Sequence, residues 1–85
     1  MQEFRYTITD SAGIHARPAG LFVQCMKQFE SAIHVTRGDK IVDGKKLFAL
    51  MGLRVKCGET IVVSAEGDDA SQAIDAAKDI LSKEL

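Results

Sequence analysis

Residues 3–28 read EFRYTITDSAGIHARPAGLFVQCMKQ, and their apolar side chains change period once along the stretch. Phe4, Tyr6 and Ile8 alternate with Glu3, Arg5, Thr7 and Thr9, which predicts a half-buried strand over residues 3–9. Ala19, Phe22, Val23 and Met26 then recur at helical spacing, which predicts a helix from about residue 16 to residue 28. Pro18 falls in the first turn of that helix, where its fixed φ is suitable and its missing N–H is no loss. Gly13 to Pro18 is therefore a junction at which a loop becomes a helix.

Working outward, Ile33 and Val35 repeat the alternation, Gly38 and Asp39 suit a tight turn, and Ile41 to Asp43 return as a short partner strand. Thr60 to Glu66 forms a fourth strand with Ile61, Val63 and Ala65 on one face. Leu47, Phe48, Leu50, Met51 and Leu53, interrupted by Gly52, predict a brief helix. A longer helix runs from Ala70 to about Lys83, with Ala70, Ala73, Ile74, Ala77, Ile80 and Leu81 as its apolar stripe. Asp69 and Gln72 resemble a capping box at its start. The order strand, helix, strand, strand, short helix, strand, helix implies an α+β chain: an antiparallel sheet with helices on one face. Thr7, Thr9, His34, Thr36, Thr60, Val62 and Ser64 fall on the other face, and most are polar.

Eighty-five residues leave room for one domain, 1–85, and no linker, repeat or low-complexity segment divides them. The chain is 46% hydrophobic and 27% charged with net charge -1, too apolar for a disordered tail and too evenly charged for a dedicated nucleic-acid binder. No basic region followed by an apolar run opens the sequence, and no stretch approaches the roughly 18 apolar residues of a membrane span, so a cytoplasmic protein is expected. Cys25 and Cys57 form no CxxC pair and have no His at ligand spacing. Two reduced thiols are expected, with no disulfide, no metal site and no cofactor.

The chemistry concentrates in Gly13-Ile14-His15-Ala16-Arg17-Pro18. The first N–H groups of a helix lack intrahelical partners, so the amides of Ala16 and Arg17 are available to an anion, as Pro18 has none to offer. The helix dipole favours such an anion by about 0.3 to 1 kcal/mol when exposed. A neutral imidazole at His15 is a competent nucleophile toward phosphorus, and Arg17 brings a planar fork of donors to the same oxygens. From these residues alone His15 is either a polar cap without chemistry or that nucleophile, and both readings stay open. His34 alternates onto the open sheet face among Thr residues and carries no catalytic expectation. Arg37-Gly38-Asp39 is explained by a turn, and Gly44-Lys45-Lys46 lacks the glycine spacing and hydroxyl of a P-loop.

Across its whole length the sequence resembles the HPr family, the histidine-containing phosphocarriers of the phosphoenolpyruvate-dependent sugar phosphotransferase system. Their Gly-x-His-x-Arg-Pro-Ala signature stands here as GIHARPA with the histidine at His15; Lys45, Leu47 and Phe48, then Gly58 and a strand ending in SAEG, fit the second shared region. The resemblance implies an open-faced β-sandwich of four antiparallel strands with three helices. It implies that His15 takes phosphate on Nδ1 from phosphorylated Enzyme I and passes it to IIA domains, with Arg17 as the phosphate's counter-charge. It also implies transient docking through Ala16, Gly20, Leu47, Phe48 and Met51. Lys27, Lys45 and Lys46 are placed to ring that patch and attract acidic partner surfaces, or else form a solvated rim, and a monomer is expected. Leu47 and Met51 have an alternative role, packing beneath the sheet. One position departs from the pattern: many members carry a regulatory Ser immediately before the Leu-Phe pair, and this chain has Lys46, so control by a Ser-directed kinase is not expected.

Two other functions compete. An HPr-like regulatory module in another phosphorelay, for example a nitrogen-related one, would keep the fold and His15. An RNA-binding domain would share the sheet-and-helix plan, but its stacking aromatics are missing from the open face, because Phe4 and Tyr6 alternate toward the helices.

Overall fold

The computed structural model describes residues 1–85. Its elements run β1 (Gln2–Thr7), α1 (Ala16–Met26), β2 (Ala32–Arg37), β3 (Lys40–Asp43), α2 (Leu47–Gly52), β4 (Thr60–Glu66) and α3 (Ala70–Glu84). The four strands form one antiparallel sheet in the order β1-β4-β2-β3. Phe4 and Val35 both face Val63, and Val42 faces Val35, so one register carries the apolar row across every strand. The β2–β3 turn is made by Gly38 and Asp39, with Gly38 at φ +60°, as expected for a two-residue hairpin.

Alternation puts Ile33, Val35, Ile61, Val63 and Ala65 on the covered face, where they meet Ala19, Phe22, Val23 and Met26 of α1 and Ala73, Ala77 and Leu81 of α3 in one core. Tyr6 keeps its ring partly buried and donates its hydroxyl to the Leu81 carbonyl at 3.1 Å, so the polar tip is satisfied without leaving the apolar layer. On the opposite face Thr7, Thr9, His34 and Thr60 are exposed. No helix is long and apolar enough to cross a membrane.

The expected capping box is corrected. Asp69 stands at the N-cap of α3, but its side chain makes no cap bond. Its Oδ2 accepts the Glu30 amide at 2.8 Å, and its Oδ1 accepts the Ser31 amide at 2.9 Å and the Ser31 hydroxyl. A carboxylate offered three donors by the entry to β2 is more fully bonded there than at its own helix. Ile80, expected in the α3 stripe, is only partly buried, whereas Leu85 beyond the helix is buried.

Candidate functional site

His15 is the N-cap of α1, in extended backbone at φ −118° and ψ 178°. Its carbonyl accepts the Ala19 amide at 3.0 Å and starts the helix, while its ring makes no cap bond. The side chain is 44% exposed and lines none of the surface depressions, so the imidazole stands on open surface. The amides of Ala16 and Arg17 follow immediately, too early in the helix to find a carbonyl. Arg17 is exposed and joins none of the chain's three ion pairs. The first turn therefore carries an exposed imidazole, two backbone donors without helical partners and an Arg17 side chain outside every ion pair.

The loop before the ring is held from three sides. Gly13 stands at φ +69° so close to the 55–56 backbone that a Cβ would collide with the Val55 carbonyl, and Ile14 donates to that carbonyl at 3.0 Å. Thr9 donates its amide and hydroxyl to the Leu85 carbonyl at 2.8 and 2.9 Å, and Asp10 donates its amide there at 3.1 Å. Residues 10–13 close a turn in which Gly13 donates to the Asp10 carbonyl at 2.9 Å and Ala12 to Asp10 Oδ1 at 2.8 Å. The other oxygen, Oδ2, lies 3.3 Å from His15 Nε2. The Ala12 amide, and after it the His15 hydrogen bond, hold the Asp10 carboxyl below its ordinary range. Asp10 is the neighbour of His15 that sequence reading missed. Its one signal was Asp at the first and Gly at the fourth position of Asp10-Ser11-Ala12-Gly13, a turn pattern just ahead of the helix.

Of the residues expected at a docking surface, Ala16, Lys27 and Lys46 are exposed and Gly20 is half-buried. α1 and α2 pack against each other, which brings the helix that carries Ala16 and Gly20 beside the short helix. Phe48 is 87% exposed with no cover from the chain. Leu47 and Met51 are partly buried against the core, so the packing role applies to part of each side chain. Lys45 departs from the expected basic rim: its Nζ donates to the Phe29 carbonyl at 2.6 Å, tying the β3–α2 turn to the segment between α1 and β2. Lys46 is the N-cap of α2, immediately before Leu47 and Phe48, and brings an ammonium there in place of a hydroxyl.

Both cysteines are free thiols. Burial, and then Asp79, push the Cys25 thiol up, which disfavours its reactive thiolate. Cys57 is exposed and directs its sulfur at the Thr9 carbonyl, 3.7 Å away. No three His, Cys, Asp or Glu side chains converge in a metal-binding arrangement.

A family model described as the PTS HPr component phosphorylation site matches residues 2–83. The phosphocarrier protein HPr of Haloferax volcanii is 40% identical over 78 residues, 89% of this chain and 88% of that one. Among solved structures, HPr-C-His from Thermoanaerobacter tengcongensis is 41% identical with TM-score 0.93, covering 98% of this chain and 93% of its own. An HPr of that organism has also been solved as a dimer, at TM-score 0.79 and 40% identity, covering 99% and 97%. The histidine-containing phosphocarrier protein of Mycoplasma is 34% identical with TM-score 0.94, covering 96% and 93%. Sequence and fold agree along nearly the whole chain, which therefore belongs to the HPr family of phosphocarriers of the phosphotransferase system.

Proposed function

We propose that this chain accepts a phosphoryl group on His15 from phosphorylated Enzyme I and delivers it to IIA domains of the sugar phosphotransferase system, acting as a cytoplasmic monomer. The observation that carries the reading is an exposed imidazole at the N-cap of α1, unused for capping and followed by two unpartnered amides. Attack by a ring nitrogen forms the nitrogen–phosphorus bond while the bond to the donor breaks and its electron pair leaves with the donor. The protein's share is positional and electrostatic: the amides of Ala16 and Arg17 and the Arg17 guanidinium offset charge on the equatorial oxygens. A surface site suits this chemistry, because donor and acceptor are themselves proteins that must bring their own groups to the phosphorus.

Phe48 supplies an apolar anchor for both partners, with Leu47 and Met51 beside it, and Lys27 and Lys46 add attraction for acidic surfaces that salt weakens. Lys46 offers no hydroxyl to a kinase, so phosphoryl traffic through this chain runs without Ser control at that position.

Incubation with phosphoenolpyruvate and a sugar-system Enzyme I tests the reading. The wild type is expected to gain phosphate that is labile in acid and stable in alkali, and His15→Ala to gain none while keeping its fold. No label on the wild type would remove the carrier role and favour a regulatory module of the same fold. Sedimentation at assay concentration is expected to return the mass of one chain.

A further inference from the structure

We infer that Asp10 is a positioning residue for His15: its carboxylate keeps the ring hydrogen on Nε2 and so presents the Nδ1 lone pair to phosphorus. The inference rests on the carrier reading and adds to it the group that chooses between the two ring nitrogens.

Every other polar atom of Asp10 has a task. Its amide donates to Leu85, its carbonyl accepts from Gly13, and its Oδ1 accepts from Ala12. These bonds leave Oδ2 directed at His15 Nε2, 3.3 Å away. With the Ala12 amide and the ring both favouring the charged form, Asp10 is an anion at neutral pH. A carboxylate anion only accepts, so Nε2 must be the donor. A neutral imidazole has a single N–H, so assigning it to Nε2 leaves Nδ1 with a free pair. Nδ1 is the nitrogen that the resemblance to the family assigns to phosphate.

The same contact serves both directions of transfer. Once Nδ1 bonds phosphorus, the ring carries positive charge with its hydrogen still on Nε2, next to the Asp10 anion. When the nitrogen–phosphorus bond breaks, its pair returns to Nδ1 and the ring departs neutral. No proton moves in either step, because the one ring hydrogen is already where both states need it.

Substitution at Asp10 separates this role from simple support of the loop. In Asp10→Asn the amide oxygen can keep the Ala12 N–H, which turns the NH2 group toward Nε2. A donor at that position favours the other tautomer, with hydrogen on Nδ1 and the wrong nitrogen free. Asp10→Ala loses the Ala12 bond but forces neither tautomer. A merely structural role ranks Ala as the worse variant; a positioning role ranks Asn as the worse.

The test uses 15N-labelled full-length wild type, Asp10→Asn and Asp10→Ala, with circular dichroism to check folding. Ring 1H–15N correlations, taken under alkaline conditions that leave imidazole uncharged, locate the hydrogen before any phosphate is present. The wild type is expected to hold it on Nε2 and the Asn variant to move it toward Nδ1. Phosphate uptake from Enzyme I is expected to slow about tenfold in Asn and about threefold in Ala, modest for a tautomer effect because the pair is partly exposed. Asp10→Asn with the wild-type ring hydrogen and wild-type uptake would overturn the inference, as would Ala slower than Asn. Failure of the wild type to take phosphate at all, with the hydrogen on Nε2, counts against the carrier reading instead.

Discussion

Gly13 carries a constraint that no other residue type meets. Its φ of +69° lies in the left-handed region, and the Val55 carbonyl occupies the space a Cβ would need. The obstruction is backbone, so it cannot rotate away. Gly13→Ala is expected to cost about 2–4 kcal/mol, the left-handed penalty plus displacement of the 55–56 loop. That loss lowers the thermal midpoint by about 10 °C or more. A calorimetric midpoint within a degree or two of wild type would mean that the two loops do not approach this closely. At this scale the site was unevenly legible. His15, Arg17 and the free amides follow from the local helix start, which Pro18 marks. Asp10 escaped because its bearing on His15 depends on how the intervening turn closes and on anchors at Val55 and Leu85, all supplied by distant parts of the chain.

α2 shows what periodicity carries in a short element and where it stops. Leu50 is 2% exposed and Phe48 87% exposed, two positions apart in a six-residue helix. Six residues are too few for a hydrophobic stripe to declare its direction, so the sequence leaves Leu47 and Met51 between docking and packing, and each proves partly buried, while Phe48 stands clear as expected. Phe48→Ala is expected to leave stability within about 0.5 kcal/mol of wild type. Steady-state transfer from Enzyme I should then show KM raised about tenfold with kcat nearly unchanged, as for loss of an anchor that binds equally before and during transfer. Leu50→Ala should do the reverse, costing about 2–4 kcal/mol of stability through a buried cavity. A Phe48→Ala protein with unchanged KM would remove α2 from the docking surface. The strands and their buried face were legible from alternation over β1, β2 and β4, although the first strand, expected over residues 3–9, ends at Thr7, where the chain turns to the Leu85 carbonyl. The start of α3 was not. Asp69 has the right type and place for a cap, but the Glu30 and Ser31 donors come from a segment whose nearness no local pattern announces.

Across the whole molecule, stability toward acid depends on carboxylates that join segments far apart in sequence. Asp69 fastens the entry of β2 to the start of α3. Glu59 fastens the end of β2 to the loop before β4, accepting Arg37 at 2.8 Å and the Lys56 amide at 2.7 Å. The Ser31 hydroxyl first, then the Glu30 amide, hold the Asp69 carboxyl below its ordinary range; the Arg37 guanidinium first, then the Lys56 amide, do so for Glu59. A depressed folded-state value means that the unfolded chain binds protons more readily. The stability these groups contribute is therefore complete above the ordinary carboxylate range and disappears as pH falls through it toward the lower folded values. Thermal midpoints of the wild type should be level from about pH 7 to about pH 5.5 and then drop toward about pH 3. With 11 Lys and Arg in the chain, general repulsion adds to that drop, so the informative quantity is the difference from a variant. Asp69→Asn should begin lower at neutral pH and fall less steeply, its curve converging on the wild type's at the acid end, because the carboxylate it lacks is there protonated in both states. Parallel curves across the whole range would show that Asp69 acts through shape alone, and would detach the acid response from the β2–α3 fastening.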